Sequence, residues 1–260
     1  MTAADALQEF RSLNDPATRR EVERRGDYFV VEGAGAVASL VESRYPIRAV
    51  LASENRAARA LELVGRRAPV YVLPQDEIVE ITGFNFHRGL LATATRLPLP
   101  SLDEVVAPTA TRLAVLEGVN DHENLGALFR NARAFGVDAV LLDPTSPDPL
   151  YRRSIRVSMG HVLQLPWTRL DEWPDALQTL KDRGFTLVAL TPAADAVSID
   201  ELAASPPTRL AFLLGAEGPG LSDQALAAAD IKARIPINPE VDSLNVATAA
   251  ALAFHRLHRR

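Results

Sequence analysis

Ile235-Pro236-Ile237-Asn238-Pro239-Glu240-Val241-Asp242-Ser243-Leu244-Asn245 leads into a helix of small residues, with Val246, Ala247, Ala249, Ala250, Ala251 and Ala253 among them. Side chains this small let the helix bring its backbone close to whatever it packs on. Ser243 or Asn245 can cap it, each offering an oxygen to the orphan N–H groups of the first turn. The basic end, His255, Arg256, His258, Arg259 and Arg260, complements the negative pole of the helix dipole. Taken locally, this is a C-terminal helix docked on a core. Two upstream stretches with matching peculiarities make it part of something larger.

The first is Asn120-Asp121-His122-Glu123-Asn124-Leu125-Gly126-Ala127-Leu128-Phe129-Arg130-Asn131-Ala132-Arg133-Ala134-Phe135-Gly136-Val137. Arg130 falls about two turns into the expected helix, Arg133 lies on a neighbouring face, and Gly136 ends it as a C′ glycine should. The second is Leu213-Leu214-Gly215-Ala216-Glu217-Gly218-Pro219-Gly220-Leu221-Ser222. Its glycines let a ligand approach the backbone, and Ser222 starts the next helix. All three stretches follow expected strands, where α/β sheets bind ligands. None is a phosphate-binding P-loop, and none contains lysine.

Strands alternate with helices along the rest of the chain. Expected strands are 28–31, 47–52, 70–73 and 90–94, with helices over 34–42, 55–63 and 76–81 between them. Residues 1–25 read as helical, with Asp15-Pro16 placing a cap and a proline where a helix begins. Arg96 to Arg112 holds Pro98, Pro100 and Pro108 and little helical or strand period, so it reads as a linker. Beyond it, strands at 113–116, 139–142, 186–190, 210–214 and 233–235 alternate with helices at 125–135, 150–159 and 174–183. This predicts a small α/β domain over 1–96, a linker over 97–110 and a larger α/β domain over 111–260.

At 47% hydrophobic and 23% charged, the 260 residues suit a soluble globular protein with a full core. No apolar run approaches a membrane span, and the polar start, Met1 to Gln8, is unlike a signal peptide. No membrane partner and a cytoplasmic location are therefore expected. Cysteine is absent, which excludes disulfides and thiol catalysis, and the five histidines lack ligand spacing, so no metal is expected. The net charge of −5 argues against a general nucleic-acid coat. Of 28 basic residues only Lys181 and Lys232 are lysine, and arginine suits planar phosphate contacts. Any nucleic-acid contact must come from local clusters.

Gly33-Ala34-Gly35-Ala36-Val37-Ala38 follows a strand and opens a helix, the pattern of a dinucleotide fingerprint. Glu32 would put a carboxylate just before the phosphate loop, and the unit ends near residue 95, before six strands can form. Tight packing of helix on strand accounts for these glycines.

The three loop stretches resemble the SpoU/TrmH family of RNA ribose 2′-O-methyltransferases, within the knotted SPOUT superfamily. Residues 124–137 are similar to that family's first motif, 213–222 to its second and 235–250 to its third. Residues 28–95 are similar to the ribosomal-protein-like substrate-binding domain often fused in front, through Phe29-Val30-Val31-Glu32-Gly33 and His87-Arg88-Gly89-Leu90-Leu91-Ala92. The resemblance implies a C-terminal α/β domain tied in a deep trefoil knot. It also implies a homodimer, ribosomal or transfer RNA as substrate, and S-adenosylmethionine held by the three loops.

By matching position, the resemblance assigns catalysis to Asn124, Arg130, Glu217, Ser243 and Asn245. It assigns cofactor binding to Leu214, Gly215, Glu217, Gly218, Ile235, Ser243, Leu244 and Asn245. RNA would meet Arg130 and Arg133, and also Arg152, Arg153 and Arg156, whose surroundings resemble the family's RNA-facing segment. His122 departs from the small residue or proline expected in the first motif. A guanidinium is a poor base, so Arg130 suits a donor to phosphate or alkoxide better than a base. The alternatives are a non-catalytic RNA-binding module that kept the fold, and a base-methylating relative. Ser243-Leu244-Asn245 favours the ribose branch.

Overall fold

The hydrophobic runs set two sheets, one in each of two units. The structure, a computed structural model, describes residues 3–15, 27–84 and 89–258. The expected helix start at Pro16, His87-Arg88 and the basic pair Arg259-Arg260 lie outside the described residues. The units are Met1–Pro98 with Leu150–Gln164, and Leu99–Pro149 with Leu165–Arg260. No helix among the described residues is long and apolar enough to cross a membrane.

The first unit begins with α1 (Ala3–Gln8), then runs β1 (Tyr28–Glu32), α2 (Ala34–Val41), β2 (Ile47–Ser53), α3 (Ala57–Val64), β3 (Val70–Leu73), α4 (Gln75–Thr82) and β4 (Leu90–Thr95). Its sheet has the order β1-β4-β2-β3, with β4 antiparallel to both neighbours and β3 parallel to β2. Phe10, Val30, Leu51, Ile78 and Leu91 form one of its packed faces. Gly33 caps α2 at φ 95°, a conformation glycine alone adopts freely.

The second unit opens inside the stretch expected as a linker. Ser101 starts a one-turn helix, α5 (Leu102–Val105), with a capping box: its hydroxyl accepts from Glu104 N, and its own N–H donates to Glu104 Oε2 at 2.7 Å. Val105, Val106 and Ala110 are buried in the core of this unit. A single turn between prolines is too short to show a period, which is why the sequence reads as linker there.

β5 (Arg112–Leu116), α6 (His122–Ala134) and β6 (Ala139–Leu142) follow. Residues 150–164 then belong to the first unit, although the sequence pattern places them in the domain over 111–260. They carry α7 (Arg152–Val157), which packs on β1. The junction is steric: Gly160 sits at φ 84°, and a Cβ there would lie 2.6 Å from the Ser39 Cβ of α2.

The chain continues through β7 (Trp167–Arg169), α8 (Ala176–Asp182), β8 (Thr186–Leu190), β9 (Val197–Ser198), α9 (Ile199–Ala204), β10 (Leu210–Leu214), α10 (Asp223–Ala228), β11 (Ile231–Arg234) and α11 (Val246–Arg256). The seven strands are all parallel in the order β7-β6-β5-β10-β8-β11-β9. β5, β6 and β10 are buried at every residue, as a parallel sheet covered on both faces requires.

α11 is fastened at both ends. Near its start, Asn131 Nδ2 donates to the Ala247 carbonyl at 2.9 Å. Past its end, the buried Arg112 guanidinium donates to the carbonyls of Leu257 and Thr208, each at 2.8 Å. Between them Phe254, 1% exposed, meets Phe212 of β10 edge to face at 5.0 Å. Phe254→Ala is expected to cost about 3–5 kcal/mol, the range for emptying a buried aromatic site. Urea denaturation checks this, and a loss under about 1 kcal/mol would contradict the packing.

Candidate functional site

Three loops leave the C-terminal ends of β8, β10 and β11 and enclose a cavity of about 550 Å³. Its floor is the loop after β10, and that loop is shaped by close backbone approach. A Cβ on Gly215 would fall 2.2 Å from the Gly220 carbonyl carbon and 2.3 Å from Leu221 N, so no side chain fits. Gly220 N donates to the Ala216 carbonyl at 3.0 Å and closes the ring. The cavity is therefore walled here by peptide groups.

The start of α11 settles which residue caps it. Asn245 does so: its Oδ1 accepts from Ala247 N at 3.0 Å and from Thr248 N at 3.2 Å. Those two donors fix the amide's orientation, because the nitrogen cannot face them. Nδ2 must point the other way, where it donates to Asn124 Oδ1 at 2.8 Å and Glu217 Oε1 at 2.6 Å. Asn124 is itself set by the α6 cap, in which Asp121 Oδ1 accepts from Glu123 N and Asn124 N at 2.8 and 2.9 Å. One amide thus joins one residue from each of the three stretches picked out in the sequence.

Leu214, Gly215, Glu217, Gly218, Ile235, Ser243, Leu244 and Asn245 all line the cavity. Asn124 reaches it through Asn245. Ser243, the other cap candidate, is exposed at the rim. Arg130 and Arg133 are exposed on α6, with Arg130 about 9 Å along the axis from Asn124. Arg130 is not part of the hydrogen bonds that join Asn124, Glu217 and Asn245.

The arginines of α7 differ among themselves. Arg152 is drawn into the first unit: it lies 3.6 Å from Glu32 Oε2, donates to Asn14 Oδ1 at 2.8 Å and covers the Phe84 ring at 4.5 Å. Burial pulls its pKa below the usual arginine range, against the opposing charge of Glu32. Arg153 is exposed and Arg156 half-buried. Sequence reading missed Thr191 and Pro192 after β8, which line the cavity, and Glu117 after β5, whose carboxylate accepts from Ser222 at the end of the cavity loop. A carboxylate directly behind a fully buried strand was the available signal for Glu117.

Residues 112–255 match the model of the SpoU rRNA Methylase family, from the first residue of β5 to the last turn of α11. The chain belongs to the SpoU rRNA methylase family. The whole Asn124–Glu217–Asn245 junction falls inside the family's span. An uncharacterized tRNA/rRNA methyltransferase of Mycobacterium tuberculosis is 46% identical over 97% of this chain and 88% of its own. A 23S rRNA (guanosine-2′-O-)-methyltransferase of Nitrosomonas europaea is 34% identical over 72% of each chain. The crystal structure of an RNA 2′-O ribose methyltransferase aligns at a TM-score of 0.77 and 28% identity, covering 99% of this chain and 96% of that one.

The Asn245 junction is testable in this SpoU chain without ligand. Asn245→Asp keeps the cap but sets a carboxylate against Glu217. A loss of about 1 kcal/mol is expected, at the low end for a charged contact because both groups are exposed. Adding Glu217→Gln, whose amide can donate to the new aspartate, should return at least half of it. Strictly additive urea midpoints for the two substitutions would rule out the pairing.

Proposed function

We propose that this protein is an S-adenosylmethionine-dependent RNA methyltransferase that acts on a ribose 2′-hydroxyl. The observation that carries the reading is the Asn245 amide, which draws Asn124 and Glu217 to the rim of the family's loop-walled cavity. The guanosine-2′-O activity in the name of the 34% identical relative supports ribose over base.

The cavity fits such a donor. About 550 Å³ lies within the usual range for small-ligand sites. Leu190, Leu214, Ile235 and Leu244 provide apolar walls for a purine, while the Gly215–Gly220 ring presents backbone N–H and carbonyl groups at close range. When bound, S-adenosylmethionine supplies an electrophilic methyl group. The residues of this chain have then to align the acceptor and manage the charge that develops on O2′. Alignment is a large share of the barrier in such transfers. Arg130, exposed on α6, offers the planar guanidinium fork to an RNA phosphate or to the developing alkoxide. Asn245 holds Glu217 at the rim, which keeps that carboxylate from swinging across the opening.

The same reading extends to assembly. The connection 235–244 and α11 would form the trefoil knot, and an experimental chain trace without threading would remove it. A homodimer through the second unit would complete the site, with Val241 and Leu252, 48% and 45% exposed, as candidates for covered surface. Sedimentation giving an active monomer at micromolar concentration would count against that. Residues 1–95 would select a ribosomal or transfer RNA in the cytoplasm, so deleting them should weaken RNA binding and spare cofactor binding.

Calorimetry should give binding of S-adenosylhomocysteine and none of NAD; the reverse result would overturn the cofactor. Arg130→Ala should lower turnover about 10²-fold or more with cofactor affinity nearly unchanged, the scale for losing a transition-state donor. Arg130→Lys should recover only part of this. RNA with a 2′-deoxy sugar at the target should bind yet accept no methyl. Normal methylation of that RNA would make the acceptor a base, and no transfer to any RNA would leave a non-catalytic binder.

A further inference from the structure

Glu117 follows the last residue of β5 and grips both ends of the loop that floors the cavity. Its backbone N–H donates to the Leu214 carbonyl at 2.9 Å, where the loop begins. Its carboxylate takes the far end: Oε2 accepts from Ser222 N at 2.8 Å, and Oε1 from Ser222 Oγ at 2.7 Å. Trp173 Nε1 donates to the same Oε1 at 2.7 Å. The Ser222 hydroxyl oxygen is already used as the cap of α10, accepting from Ala225 N at 3.2 Å, so its proton is left for Glu117.

Three donors therefore converge on one carboxylate. The loop between the anchors needs them, because Gly215, Gly218 and Gly220 give it a large conformational freedom to lose. Glu117 itself is not among the residues lining the cavity, so it acts on a ligand only through the loop.

We propose that Glu117 is a positioning residue for the cavity: with Ser222 and Trp173 it clamps the 215–221 loop into its ligand-binding shape. This rests on the reading that the cavity takes S-adenosylmethionine, and the test separates the two. The charge and the geometry both matter. A glutamine at 117 would turn one of its two acceptors into a donor facing Ser222 or Trp173, whereas a carboxylate accepts from all three.

Hydrogen exchange on the ligand-free, full-length protein reads the clamp directly. Amides of 215–222 should exchange at least several-fold faster in Glu117→Gln and in Ser222→Ala than in wild type. Affinity for S-adenosylhomocysteine should fall about tenfold or more in Glu117→Gln, the scale for one lost hydrogen bond to a charge. Ser222→Thr, which keeps the hydroxyl and the cap, should retain both properties. Ile78→Ala, in the core of the first unit, should lower stability and leave the affinity unchanged. Unchanged exchange in Glu117→Gln overturns the clamp. Faster exchange with unaltered affinity, or an equal loss of affinity in Ile78→Ala, overturns the positioning role. If wild type binds no S-adenosylhomocysteine, the reading of the cavity fails, and the exchange result still decides the clamp.

Discussion

The cap of α11 leaves the Asn245 amide one orientation, since Ala247 and Thr248 present N–H groups that its oxygen alone can accept. The nitrogen is then committed to Asn124 and Glu217, which stand 121 and 28 residues away in sequence. A local requirement of helix termination thus becomes a long-range tie. The Gly215–Gly220 ring and the first turn of α6 are brought to a common rim by the same side chain. Loosening the cap would release both.

The larger sheet was legible because parallel strands covered on both faces read as unbroken apolar runs, and 113–116, 139–142 and 210–214 do. The loops behind them were legible because glycine and amide side chains gathered at strand ends. The short edge strands β7 and β9 were not, and neither were three further features. Between Ser243 and Asn245 as cap, composition offers no choice, and the outcome depends on where the chain turns after residue 244. The α5 turn hides among prolines because its cap, not its period, specifies it. The attachment of 150–164 to the first unit rests on α7 packing against β1 and on Gly160 meeting Ser39, the latter a pairing between residues 121 positions apart that no local pattern encodes.

The arginines make the same point about charge. Arg112 is buried and spends its donors on the carbonyls of Thr111, Thr208 and Leu257. Arg152 is committed to Glu32, Asn14 and Phe84. Neither differs in sequence from Arg130 or Arg133, which stand exposed on one helix. An electrostatic footprint drawn from counts would weigh all four alike. Burial divides them into two that hold the fold and two that face solvent.

The steric closure at Gly215 limits how this cavity can be reshaped. Where a pocket is lined by side chains, single substitutions can widen it, narrow it or change its polarity, and selectivity drifts readily. Here a stretch of the wall is main chain, and the tightest point in it admits no Cβ. Substitution at Gly215 cannot alter what a ligand meets at that point; insertion or deletion in the ring would be needed, and that would break its closure. A compound that relied on the Gly215 peptide group would leave the protein few routes to resistance by point mutation there.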